Sequence, residues 1–313
     1  MAHNVETMAY AGELPWHGLG TKVESDLLPY DMQIAAGLDW AVEKQSLVTS
    51  EGIVVPKKKA LIRSSDQTVL DVVGDEWQPC QNDTAFQFFN DFCLKGDMEM
   101  HTAGSLQDGR IVWVLAKVKD SFELFGGDQV DSYLLFSNPH KFGQSIDVRF
   151  TPIRVVCNNT LTLSLNSSSK NAVKLNHKKA FDADNVKEML GIANVKLSDY
   201  KEMAEHLGGK KYKKGEVLAY LDNLFPTYSK KERSKTLHAQ ELSTPAKRVF
   251  DLIETSPGAN YKPGSWWNAF NAVTYFTDHE RGSNNDVRLQ SAWYGQSKNL
   301  KLKALETALE VAA

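Results

Sequence analysis

The order of hydrophobic patterns along the chain predicts an α+β fold: an N-terminal antiparallel β-sheet of meander and hairpins, with a helix-rich C-terminal half packed on it. Three observations carry this. Residues 44–79 are β-branched runs broken by the turn material "EG", "SSDQ" and "GDE". In residues 145–150, Ile146, Val148 and Phe150 alternate with Ser145, Asp147 and Arg149, the period of a strand. From Asp182 onward the period changes, and Val186, Leu190, Ala193, Leu197, Ala204 and Leu207 fall on one helical stripe.

Taken in order, "GELPWHGLGTKV" near the start is rich in turn residues around one Trp, so it reads as irregular. "DMQIAAGLDW" reads as a short helix, and residues 44–79 as an antiparallel meander. "NDTAFQFFNDFCLKG" opens with Asn82 or Asp83 as a cap and predicts one helix ending at Gly96. "MEMHTAGSL" and "RIVWVLAKV" flank "QDG", and the Asp108-Gly109 pair predicts a hairpin. "DSYLLFSN" and "GQSIDVRFTPIRVV" supply further strands, with Thr151-Pro152 interrupting the ladder because proline has no N–H to give. "NNTLTLSLN" reads as a helix start capped by Asn158 or Asn159. Residues 166–179 hold no acidic residue and read as an exposed loop and boundary. The domain expectation is therefore 1–165, mainly sheet with short helices, and 166–313, helical with basic loops, packed as one extended domain. Within the second part, 182–209 reads as one helix stopped by Gly208-Gly209, and four more helices follow. The helix holding Trp266, Trp267 and Phe270 is apolar nearly all round, so it should be buried.

The chain has 313 residues, 42% hydrophobic and 24% charged, which is ordinary for a soluble globular protein. No apolar run reaches the roughly 20 residues of a membrane span. Cys80, Cys93 and Cys157 are odd in number and form no C-x-x-C, so a disulfide framework or structural zinc is not expected. With no secretion-signal pattern at the start, a reducing cytoplasm is the expected setting. The formal net charge of −3 hides a strong asymmetry. Residues 1–56 hold two Lys against eight Asp and Glu, whereas residues 166–248 hold 17 basic against 10 acidic. A basic middle points to an anionic partner; the plain alternative is a solvated helical surface.

Several chemistries can be weighed. Neither G-x-x-x-x-G-K-[ST] nor G-x-G-x-x-G is present, so a Walker-type or Rossmann nucleotide site is not expected. His17, His140 and Cys157 supply the residue types of a cysteine hydrolase, but at spacings of no local signature. A lone Cys at a strand end is more often a small buried hydrophobe. No H-x-H or H-x-x-x-H pair suggests a metal, and no cofactor is expected. Nucleic-acid binding has the widest support. Four basic islands stand out: "KKK" at 57–59, the 170–179 segment, "KKYKK" at 210–214 and "YSKKERSK" at 228–235. The candidate phosphate contacts are Arg149, Arg154, Lys170, Lys174, Lys178, Lys179, Lys210, Lys211, Lys230 and Lys231, with Tyr212 and Tyr228 as stacking residues. Asn158 and Asn159 would cap a helix, with a second role toward an anion at its N-terminus. Against this, both arginines could pair with local acids such as Asp147, and a pI near 6.3 is low for a sequence-independent binder.

"ELPWHGLGTKV", "TPIRVVCNNTLTLSL" and "LKLKALETAL" after "SAWYGQS" resemble the phage/plasmid-like protein family, a domain of unknown function carried by bacteriophages and plasmids. The resemblance runs nearly the whole length and transfers no catalytic residue. It implies a mobile element in bacterial cytoplasm. The order of sheet then helices with basic loops is also similar, as a fold-level analogy, to phage single-strand annealing recombinases. The leading expectation is a non-catalytic, homo-oligomeric protein associated with single-stranded DNA. The alternative is an effector that binds a host defence or regulatory protein through the acidic first 56 residues.

Overall fold

Strands fill the first half of the chain and helices the second, the α+β order expected. The computed structural model describes residues 5–12, 20–119, 121–154, 159–160, 172–191, 195–227, 242–281, 291 and 295–313. Two compact units result, each with residues from both sides of position 165. The first comprises Met1–Asp120, Ser132–Thr151 and Asn166–Asn194; the second comprises Ser121–Asp131, Pro152–Leu165 and Val195–Ala313.

The strands are β1 (Val5–Ala11), β2 (Thr21–Val23), β3 (Val42–Val48), β4 (Val54–Arg63), β5 (Val69–Gly74) and β6 (Met98–Leu106). There follow β7 (Ile111–Val118), β8 (Phe122–Leu124), β9 (Asp128–Pro139), β10 (Ile146–Arg154), β11 (Asn159–Thr160) and β12 (Ala172–Leu175). In the first unit the order is β10-β9-β7-β6-β1-β2. β1 pairs β2 in parallel, whereas β1–β6, β6–β7 and β7–β9 are antiparallel. β3, β4 and β5 form the expected meander as a separate three-stranded sheet. The β6–β7 hairpin turns where predicted: Gln107, Asp108 and Gly109 have φ of +56°, +57° and +83°, the left-handed backbone that Asp and Gly tolerate.

Trp113 on β7 is fully buried and faces Gly104 across the ladder. A Cβ at Gly104 would overlap both the Trp113 indole and the Thr7 carbonyl, so this glycine lets the indole lie flat against β6 while β1 closes on the other side.

The predicted helix 82–96 is instead two short helices, Asn82–Gln87 and Asn90–Lys95, with a break at Phe88 and Phe89. Both rings are buried, at 1% and 0% exposure, and both meet Phe136. Both residues keep right-handed helical backbone, with φ of −53° and −85°, so the chain tightens here without reversing direction. Gly96 ends the second helix in the left-handed conformation expected (φ +76°).

Two local readings are corrected. Asn159 does not cap a helix: Asn159–Thr160 is strand β11, with Arg154 opposite Asn159 and Ile153 opposite Thr160. The polar-apolar alternation Thr160-Leu161-Thr162-Leu163 carried that strand signal. Residues 172–175 are not loop; they form β12, antiparallel to β10 from Ile146↔Leu175 to Arg149↔Ala172. Pro152 falls after the β12 ladder ends at Arg149 and before the β11 ladder begins at Ile153, where its missing N–H costs neither ladder a bond.

The predicted helix 182–209 is also split, into Ala183–Gly191 of the first unit and Val195–Gly209 of the second. The second unit continues with helices Lys214–Leu224, Thr244–Thr255, Trp266–Tyr275 and Gln296–Ala312. Trp266–Tyr275 is buried along nearly its whole length, as its composition requires, and runs on as a π-helical turn, Phe276–Glu280. Within that turn Asp278 meets Lys301 at 2.7 Å, with side chains 4% and 1% exposed. The β8–β9 hairpin presents Phe125 at its tip (φ +55°), edge-on to Trp267 at 6.1 Å and against Gly208, where any Cβ would overlap the ring.

Candidate nucleic-acid surface

"KKYKK" is the segment between the helices Val195–Gly209 and Lys214–Leu224. Gly208 and Gly209 end the first helix. Lys213 caps the second, its N–H donating to the Glu216 carboxylate at 2.8 Å. The segment runs antiparallel beside residues 261–265. Lys211 pairs with Ser265, the Tyr212 N–H donates to the Gly264 carbonyl (3.2 Å), and the Trp266 N–H donates to the Lys210 carbonyl (3.0 Å). Gly264 adopts φ +72°, which suits the turn of "KPGS". Ser265 ties this segment to the helix behind it: its Oγ accepts from the Asn268 N–H and donates to the Lys262 carbonyl.

This pairing brings Lys262 and Tyr261 to the basic loop, neither of which stood out in the sequence. Lys210, Lys211, Lys213 and Lys214 are exposed and Lys262 is half-buried. The Lys262 ammonium sits 4.9 Å above the Phe125 ring. Among the described residues, Lys213 reaches a carboxylate, Glu216 at 3.9 Å, while no ion pair forms at Lys210, Lys211 or Lys214. Tyr212 is half-buried, edge-on to Trp266 at 5.8 Å; burial, then the charge of Glu254, raises its phenol pKa. The loop is thus a backbone-paired cationic strip with one partly sheathed aromatic.

The remaining predicted contacts divide between the units. Lys174, Lys178 and Lys179 are exposed on the first. Arg149 is not available to a phosphate. It is 4% exposed, and its Nε (2.9 Å) and a terminal nitrogen fork onto the two oxygens of Asp147. The two residues share a strand face at i, i+2, so the pairing that competed with phosphate binding is the one present. Arg154 lies in β10 and Asn159 in β11, with side chains outside the described residues; Asn158, Lys170, Tyr228, Lys230 and Lys231 lie outside them altogether.

His17 and Cys157 also lie outside the described residues, but His140 does not serve as an exposed acid or base. It is fully buried at the end of β9, edge-on to Trp40. Asn82 donates its amide nitrogen to the Leu38 and Trp40 carbonyls, which leaves its oxygen facing His140 Nε2 at 3.0 Å. The imidazole therefore carries its proton on Nε2. Burial, then the nearby His177, holds it neutral and pushes its pKa down to about 3. Burial raises the thiols of Cys80 to about 12 and Cys93 to about 11, the opposite of an activated nucleophile. No helix among the described residues is long and apolar enough to cross a membrane.

No curated protein and no solved structure matches the chain. Residues 69–299 match a family described as a domain of unknown function, DUF932. That span takes in β5 through the start of the last helix, and with it the basic loop, the 261–265 segment and His140. The chain belongs to the DUF932 family.

Proposed function

We propose that this chain is a non-catalytic protein that holds single-stranded nucleic acid, with the paired segments 210–214 and 261–265 as a primary contact. One observation carries the reading: two segments of distant sequence are bonded side by side, so that Lys210, Lys211, Lys213 and Lys214 flank Tyr212 on one segment and Lys262 lies on the other. Cations at this spacing neutralise phosphates, and a fixed phenol offers a π-face or edge to an unstacked base. Arg149 has no part in this set, because Asp147 already neutralises it in a buried site. In this reading the protein works in bacterial cytoplasm on a mobile element, with strand annealing as its task; the sequence resemblance to phage- and plasmid-borne proteins supports that setting. Assembly into oligomers would multiply the few phosphate contacts of one copy.

The test is an anisotropy titration of a short labelled single strand at several salt concentrations, followed by annealing of complementary strands. Binding should weaken with salt, with a slope near −0.7 per phosphate neutralised. Lys210→Gln with Lys214→Gln should lower that slope by about 1.4 while leaving the circular dichroism unchanged. Absence of binding at low salt, or an affinity indifferent to salt, overturns the proposal.

A further inference from the structure

We propose that Trp77, on the first unit, is a second stacking platform for a base of single-stranded nucleic acid, served by lysines from two other segments. It rests on the reading that such a strand is the ligand, but on different residues.

The turn Gly74–Gln78 is fixed from both sides. The Trp77 N–H donates to the Gly74 carbonyl (3.1 Å), and the Lys44 ammonium donates to the Asp75 and Trp77 carbonyls (2.6 and 2.9 Å). Gln78 exchanges two bonds with His177: its N–H donates to the His177 carbonyl (2.6 Å), and its carbonyl accepts from Nδ1 (3.0 Å). The indole then lies flat on the imidazole, with centroids 4.0 Å apart and planes at 18°. His177 is 3% exposed, whereas Trp77 is half-buried and keeps part of its surface accessible. One indole face is thus spent on His177, and the exposure that remains lies away from it. An indole held this way offers apolar π-surface without losing rotamer freedom on binding, as a stacking platform for bases requires.

The charge around it is supplied by chain segments far apart in sequence. Lys178 and Lys179 directly follow His177 and are exposed. Lys57 and Lys58 reach the same turn through β4: the Asp75 N–H donates to the Lys57 carbonyl, and Lys58 pairs with Gly74. Among the described residues none of these four lysines has an ion-pair partner. Asp75 and Glu76 lie in the turn itself, and with Lys44 on its carbonyls the balance is cationic by five to two. An aromatic on a turn bordered by lysine-bearing segments suits a base with its phosphates better than it suits an acidic peptide, which needs no π-surface.

The experiment irradiates the full-length chain with a single strand carrying 5-iodouracil and maps the crosslinked peptide. In parallel, affinity is measured for Trp77→Ala and for Lys178→Gln with Lys179→Gln. The crosslink should fall on Trp77. Trp77→Ala should weaken binding roughly 5- to 100-fold, and the lysine pair should lower the salt slope by about 1.4. If Trp77→Ala does not fold, the crosslink and the two exposed lysines decide. If the strand binds and responds to Lys210 and Lys214 but neither crosslinks at Trp77 nor responds to Lys178 and Lys179, the platform is overturned and the primary surface stands. If the wild-type chain binds no strand, both fall.

Discussion

Acid should unfold this protein in part through His140. In the folded chain the imidazole is fully buried, is neutral, and has its pKa pushed down to about 3. In the unfolded chain it titrates at its ordinary value near 6.5. Between those two values the unfolded state holds the extra proton, so stability falls as pH falls, by about 1.4 kcal/mol per pH unit. The loss begins as pH drops through about 6.5, amounts to about 2 kcal/mol by pH 5, and tends to about 5 kcal/mol near pH 3. Burial lowers the pKa of His177 too, so its contribution has the same sign. The comparison that isolates His140 is His140→Gln. Its amide nitrogen can take the place of Nε2 and donate to the Asn82 oxygen, yet it does not titrate. Urea denaturation followed by tryptophan fluorescence at several pH values gives both stability curves, and their difference reports His140 together with its coupling to His177. The variant's curve should be the flatter one below about pH 6.5. Parallel curves from about pH 7 to pH 5 would show that the folded protein protonates His140 freely, and the buried neutral assignment would be wrong.

Three further outcomes follow from the packing. Gly104→Ala should destabilise the protein by about 3 kcal/mol, the upper end for overpacking, because the Thr7 carbonyl it meets is backbone and cannot swing away; thermal denaturation measures it. Lys301→Met should cost about 3–5 kcal/mol, since it strips a buried carboxylate of its ammonium, while Lys301→Met with Asp278→Leu should recover much of the loss. A double variant less stable than either single one would contradict this. Ser265→Ala should cost about 1 kcal/mol as a lost cap and also weaken oligonucleotide binding, because the same hydroxyl holds the Lys262 carbonyl beside the basic loop. Loss of stability with unchanged affinity would separate that cap from the surface.

What could be read from the sequence was what local chemistry decides. The Asp108-Gly109 turn, the β3–β5 meander and the all-round apolar helix at Trp266 each carry their signal within a few residues. The misread pieces are those whose state depends on a distant partner. Ala172–Leu175 has a polar, loop-like context, yet it becomes a strand because β10 offers a free edge. Phe88 and Phe89, where the predicted single helix is interrupted, pack on Phe136 about 50 residues on. The basic islands were visible, but not which of them meet. Nothing in "KKYKK" announces "YKPGS" as its neighbour, and nothing in "GDEWQ" announces His177. Arg149 shows the reverse case: its i, i+2 acid was visible, and burial, which was not, decided between salt bridge and phosphate.

The chain passes from the first unit to the second at Asp120, back at Asp131, and crosses again near Thr151, Leu165 and Asn194. No single cut therefore releases either unit whole, and truncation at residue 165 would leave two fragments that each lack pieces of both. On the ribosome the first unit cannot close until residue 194 has emerged, and the second waits for the C-terminal helix. Neither unit is a contiguous stretch of chain, so neither can be expressed alone by trimming one end of the sequence.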